Sequence, residues 1–287
     1  MIKVPTARPL PLPTWPDSAD AALSLTFDVD AETGWLGYSR FNEIDYSKWL
    51  TVMSDARYGI VRGIPRILAL LDQFGIKGTF YTPGATAERY PEVLREVVAA
   101  GHEIAHHGHL HIRPNLLDRD GQREELVRGI DALETTLGVT PTGYRAPAGI
   151  MTPETFELLV ELGFTYDSSC MGDDRPYIEE YEGRSILELP SHWSTDDWPH
   201  FGWNLDSGTA GPADQDAFVR TWMGEFESTL EEQRHLTYVM HPEVIGRGYR
   251  MLALRELLER IRDSANVIYL THAELAELVA PAGIDSL

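Results

Sequence analysis

Residues 101–114 read GHEIAHHGHLHIRP, and five of the chain's ten histidines (His102, His106, His107, His109 and His111) lie within them. Histidine is a common divalent-metal ligand and the usual proton carrier near neutral pH, so this density marks a site before any other feature is weighed. Two i, i+4 pairs compete. His102-Glu103-Ile104-Ala105-His106 matches the H-E-x-x-H zinc-protease pattern, which works only on a helix, where i and i+4 share a face. The preceding segment already reads as that helix: Pro91 opens it, Leu94, Val97 and Val98 line one side, and Gly101 stands where it should end. Residues 103–105 then read as a strand, His102 and His106 lose the helical register, and the protease match is accidental. The second pair, His107 and His111, comes just past the strand, where a tight loop can aim two imidazoles at one ion. A third ligand would come from the end of another strand; solvated loop histidines are the plain alternative.

Outward from this stretch, strands and helices alternate. Residues 22–27 read as an apolar strand, 60–74 as a helix through Ile64, Ile67, Leu68 and Leu71, and 76–82 as a strand. Past the histidines come a charged amphipathic helix over 121–137, a short strand over 142–145, and a helix capped by Thr152 with Pro153 at its first position. Residues 164–168 and 186–190 suit strands, 214–232 a helix, 236–240 a strand, 252–262 a helix and 267–270 a final strand. Thr271 and Glu274 form a capping box for the last helix. Such alternation predicts a parallel sheet covered by helices, and about seven units suit an α/β barrel better than an open sheet. In parallel barrels chemistry sits where strands end. Here Asp28 and Asp30 follow the first strand, His107 and His111 follow 103–105, Arg145 follows 142–144, Asp167 closes 164–166 and His241 follows 236–240.

The 287 residues suit one large domain or two small ones, and the 43% hydrophobic content supports a sizeable core. The division expected is an N-terminal proline-rich arm over 1–16, a single catalytic domain over 17–280 and a tail over 281–287. With 24 basic and 45 acidic residues the formal charge is 24 − 45 = −21, which disfavours a nucleic-acid partner. The single cysteine, Cys170, excludes an intramolecular disulfide framework and fits a reducing cytoplasm; it reads as a small buried side chain without an activating base. No apolar leader and no run of membrane-spanning length is visible, so a cytoplasmic location and no membrane partner are expected. Thr26-Phe27-Asp28-Val29-Asp30 places two acids on one face of a continuing strand. One could hold a metal while the other acts as a base, and their mutual repulsion asks for a cation or an arginine nearby. An Asx turn is the plain alternative.

The segments TFDVDAE (26–32), GHEIAHHGHLH (101–111), GYRAPAG (143–149) and YVMHPEVIG (238–246) occur in this order. They resemble the motif series of the polysaccharide deacetylase family, carbohydrate esterase family 4. The resemblance implies a distorted (β/α) barrel of about seven parallel strands holding one divalent metal ion, zinc first, with cobalt, manganese, nickel or iron as alternatives. Asp30, His107 and His111 resemble the family's metal ligands, Asp28 its catalytic base, Arg145 the arginine paired with that base, and His241 its catalytic acid. The implied activity is hydrolysis of a non-peptide C–N bond in a saccharide or small molecule, with N-deacetylation of an amino sugar first. Departures stand at Gly108, Ala148 and Pro242-Glu243. The stretch from His241 to Arg247 looks like the family's cytosolic branch, which includes allantoinase-like and cyclic-imide-hydrolase-like enzymes, so a small cyclic amide or imide is the second substrate class. A non-catalytic carbohydrate-binding relative is the alternative of another kind; Asp28, Arg145 and His241 together speak against it, because binding alone needs no acid–base pair. Trp35, Pro147 and Ala148 are the candidate substrate contacts. Trp193, Trp198, Phe201 and Trp203 read more as packing than as pocket, while Glu32 and Asp167 are candidate supports for the site. A homo-oligomer stays open.

Overall fold

The computed structural model describes residues 4–40, 44–202 and 213–280; Trp203 and the tail over 281–287 lie outside the described residues. Its strands are β1 (Thr6–Pro9), β2 (Ala21–Asp28), β3 (Thr79–Thr82), β4 (Glu103–His106), β5 (Gly143–Tyr144), β6 (Tyr166–Asp167), β7 (Tyr177–Tyr181), β8 (Arg184–Glu188), β9 (His235–Met240) and β10 (Val267–Tyr269). β2 organises them because every one of its eight residues is buried, the pattern of a parallel strand covered on both faces. β9 pairs with one edge of β2. On the other edge β10 pairs with Ala21, Ala22 and Leu23, and β3 takes over at Thr26, Phe27 and Asp28. From β3 the parallel order continues through β4, β5 and β6 to β8. The sheet thus curls into a half-barrel, the distorted (β/α) barrel expected from the sequence. Beyond β9 the isolated parallel bridge Asp196–Val239 adds one more pairing.

Two strands were not legible beforehand. β7 and β8 form an antiparallel hairpin whose turn residues Glu182 and Gly183 both have positive φ, as a two-residue hairpin turn requires. β1, inside the stretch read as an arm, pairs antiparallel with β7, and Arg8 Nε donates to Glu180 Oε1 at 2.8 Å.

Helices cover the outer face. Gln215–Glu232 is capped by Asp214, whose side chain accepts from Ala217 N, and it packs Trp222 against Tyr238 of β9 with ring centroids 4.6 Å apart. Residues 60–74, expected as one helix, form a π turn over Gly59–Gly63 followed by the helix Ile64–Phe74. The reason is a close approach: a Cβ on Gly63 would lie 2.1 Å from the Pro242 carbonyl oxygen. A second helix, Ala31–Ser39, begins directly after Asp30, with Asp30 already in helical φ/ψ. The chain therefore leaves the strand at Asp28, and Asp28 and Asp30 do not owe their placement to strand alternation as expected.

Candidate active site

β4 delivers the histidine-rich loop. His106 stays in the packing, where its Nδ1 accepts from Gly108 N at 3.1 Å and its Nε2 donates to the Leu126 carbonyl at 3.0 Å. His102 Nδ1 accepts from Gly78 N. Both histidines serve the backbone, and neither belongs to a zinc-protease helix. Gly108 turns the chain at φ +75° and His111 lies at φ +55°. Glu125 holds this turn by accepting from His109 N at 3.1 Å and Leu110 N at 2.8 Å, a role no sequence pattern announced. The His107 and His111 rings finish 4.9 Å apart.

Asp30 meets them from the end of β2. Its Oδ1 lies 3.4 Å from His107 Nε2 and its Oδ2 lies 3.3 Å from His111 Nε2. His107 Nδ1 donates to the Arg145 carbonyl at 2.7 Å, which fixes the tautomer and leaves the Nε2 lone pair facing Asp30. Burial lowers both imidazoles, His111 to about 4, and keeps them neutral. Asp30 Oδ1 is buried with no hydrogen-bond partner, an arrangement costly unless something positive satisfies it. One carboxylate and two neutral imidazoles, with ligand atoms all within 4.8 Å of one another, fit a zinc-class divalent ion.

Asp28 sits beside this cluster. Arg145 Nη1 donates to its Oδ1 at 2.7 Å, while Arg145 is held by Thr26 Oγ1, Ser168 O and Ser168 Oγ and lies 4.0 Å over the Tyr81 ring. Burial pushes the Asp28 carboxyl up, but Arg145, His107 and His241 outweigh it and hold Asp28 below the usual carboxylate range.

His241, following β9, is gripped by Asp197: Nδ1 lies 2.8 Å from Oδ1, and the backbone N–H donates to Oδ2 at 3.0 Å. Burial opposes the imidazolium, yet the hydrogen bond and charge of Asp197, with Asp196 and Asp28 behind it, raise His241 well above its ordinary value. Asp197 is wholly buried. It was missed because it lies on the short helix Asp197–Phe201, outside every run with a readable period; adjacent Asp196-Asp197 in a helix-poor stretch was the only trace.

Asp28, Asp30, His107, His111, Arg145 and His241 line one cavity of about 400 Å³, together with Trp35, Tyr38, Arg113, Ala148, Trp193, Trp198 and Glu243. Pro147 does not line it. Its ring faces Gly108, and it lines a separate small void with Leu126 and Tyr144. The left-handed φ of +57° at Ala148 turns the chain so that the two neighbours face different ways. The tryptophan-rich stretch divides too: Trp193 and Trp198 border the cavity, contrary to the packing expectation, whereas Phe201 is core, 4.7 Å from Phe218.

The candidate supports also separate. Glu32 accepts from Tyr90 Oη at 2.7 Å and approaches Arg89, away from the cavity. Asp167 accepts from Ser169 N and Oγ, and Ser169 Oγ accepts from Ala146 N, next to Arg145. Burial, then nearby carboxylates, push the Cys170 thiol up, so it is no nucleophile. Of the unassigned histidines, His235 meets Ser24 Oγ at 2.8 Å and His272 meets Tyr81 Oη at 2.6 Å, both buried inside the barrel.

The polysaccharide deacetylase family model matches residues 47–166. The Helicobacter pylori peptidoglycan deacetylase is 27% identical, covering 87% of this chain and 93% of its own length. Puue allantoinase superposes with a TM-score of 0.82 at 28% identity, over 93% of this chain and 92% of its own. A Mycobacterium smegmatis protein described as a polysaccharide deacetylase superposes with a TM-score of 0.89 at 38% identity, over 96% of this chain and 95% of its own. With likeness of that extent running through the whole half-barrel, the chain belongs to the polysaccharide deacetylase family and is a hydrolase of carbon–nitrogen bonds other than peptide bonds.

Proposed function

We propose that the protein removes the acetyl group from an acetamido sugar with the help of one divalent ion, zinc first, held by Asp30, His107 and His111. A bound ion would supply Lewis-acid polarisation of the scissile carbonyl. Asp28, kept ionised and oriented by Arg145, takes a proton from the attacking water as its oxygen bonds to the carbonyl carbon. His241, kept protonated by Asp197, gives a proton to the nitrogen as the C–N bond breaks. Trp35 and Ala148 contact the substrate, and indole and phenol faces suit a sugar ring. The observation that carries this reading is that Asp28, paired with Arg145, and His241, paired from behind with buried Asp197, line the same cavity as the Asp30–His107–His111 cluster.

A second reading, hydrolysis of a small cyclic amide or imide, is favoured by the cavity's modest volume of about 400 Å³, at the small end for ligand pockets, and by the likeness to Puue allantoinase. The rest of the proposal is one catalytic domain over 17–280, a cytoplasmic location and no nucleic-acid or membrane partner. In support, the net charge is −21, and among the described residues no helix is long and apolar enough to cross a membrane.

The test is a substrate screen of acetylated chito-oligomers against hydantoins, succinimide and allantoin, with and without chelator. Turnover of the acetylated sugars is expected, lost to chelator and reduced roughly 10²–10⁴-fold in Asp28→Ala and His241→Ala. Turnover confined to the cyclic compounds selects the second reading. Glycan binding with no turnover of any amide would make the protein a binding relative instead.

A further inference from the structure

We propose that Arg113 selects substrates that carry a carboxylate close to the scissile amide. The inference rests on the amide-hydrolase reading of the cavity and goes beyond it by assigning a charge to the substrate. The other guanidinium of the cavity, Arg145, is consumed by Asp28, Thr26 and Ser168. Arg113, two residues past His111, lines the same cavity and is half-buried. Its Cζ rests 4.9 Å from the ring centroid of Tyr38, another cavity residue, so the guanidinium is held against one wall by stacking. No carboxylate lies within 4.0 Å of its guanidinium nitrogens among the described residues. Of the two arginines that line the cavity, Arg145 has its acid in Asp28 and Arg113 has none within that distance.

The surrounding charge makes the point sharper. Asp28, Asp30, Asp196 and Glu243 line the cavity, while its cations Arg145 and His241 are already paired with Asp28 and Asp197, so an anionic ligand meets repulsion there unless a further cation receives it. A neutral ligand needs no compensation. An anionic one needs a cation that is not already paired, and the planar fork of a guanidinium matches a carboxylate with two parallel hydrogen bonds. Arg113 is that cation, placed near the metal-ligand loop where it can hold the acidic end of a substrate whose amide reaches the catalytic groups.

The experiment uses matched ligands: N-acetylglucosamine and its 3-O-lactyl ether, and hydantoin and hydantoin-5-acetic acid, each acid also as its methyl ester. Binding is followed by quenching of tryptophan fluorescence and turnover by kcat and KM, in wild type, Arg113→Met and Arg113→Lys. Each acid is expected to be preferred over its ester by roughly ten- to a hundredfold, the range of a hydrogen bond to a charged group. The preference should appear in KM, shrink with added salt, vanish in Arg113→Met and return in part in Arg113→Lys. Equal binding of acid and ester by wild type, failure to bind either acid, or a preference that survives in Arg113→Met overturns the proposal. An acid preference in binding that Arg113→Met abolishes, seen without any turnover, upholds it while removing the hydrolase reading on which it was built.

Discussion

In the proposed mechanism, Asp197 decides whether His241 arrives at the reaction with a proton. The carboxylate raises the imidazole well above its ordinary value against the pull of burial, so Asp197→Asn, which removes the charge, should let that value fall. Activity that needs protonated His241 is lost as pH rises through its pKa. The alkaline limb of the kcat–pH profile should therefore move to lower pH, and kcat at pH 8 should drop on the order of a hundredfold. An unmoved alkaline limb would mean that something other than Asp197 keeps the proton in place. At this scale the sequence yielded the groups that end strands. Asp28, Asp30, His107, His111, Arg145 and His241 were each picked at or just beyond a strand end, and all six surround one cavity. It did not yield the groups that steady them. Asp197 and Glu125 reach their partners across 44 and 16 residues, and no local periodicity encodes such a contact. Nor does composition reveal a single backbone angle, which is why Pro147 and Ala148 were paired in expectation but face different spaces.

Elements were legible where burial writes a simple pattern. β2, β3, β4 and β9 are largely buried runs that end at or just before a polar residue, and the helices Pro153–Glu161 and His272–Val279 carry capping boxes. β8 was read within 186–190, but its hairpin partner β7, with Glu179 and Glu180 in the strand and Glu182 at the turn, hides behind charge. The π turn Gly59–Gly63 was unreadable for another reason: its purpose lies in a different part of the chain. Gly59 and Gly63 let the helix Pro242–Ile245, which follows His241 directly, approach without side chains in between. Gly63→Ala would place a methyl group 2.1 Å from the Pro242 carbonyl oxygen, and overpacking of this kind costs about 1–3 kcal/mol. A lower urea midpoint and a reduced kcat are expected together, since the backbone that must yield adjoins His241, the proposed catalytic acid. Gly224→Ala is the control. Gly224 lies within the helix Gln215–Glu232 with open space around its Cα, so the same change should stabilise by roughly 0.5–1 kcal/mol. If both variants unfold at the wild-type midpoint, the close approach at Gly63 carries no energetic weight.

For the whole molecule the proposed ion site implies a link between metal and stability. Asp30 is carried by the end of β2, and His107 and His111 by the loop after β4, with β3 between the two strands. An ion bound by all three side chains therefore ties the hub of the half-barrel to its most polar loop. Nothing gathers these groups in the unfolded chain, so binding acts on the native state alone and stabilises it by about 2.7 kcal/mol when free metal exceeds its Kd a hundredfold. For a chain of this length that is a rise in Tm on the order of 5 °C, reversed by chelator. Both imidazoles are held neutral by burial, His111 at about 4, so ligation does not wait for a proton to leave them near neutral pH. Asp30→Ala, or His107→Ala together with His111→Ala, should abolish the rise. Asp197→Asn should keep it, because Asp197 serves His241 rather than the ligand cluster. A stoichiometric ion and an undiminished rise in the double histidine variant would place the metal elsewhere, and the association of β2 with the β4 loop would then rest on protein contacts alone.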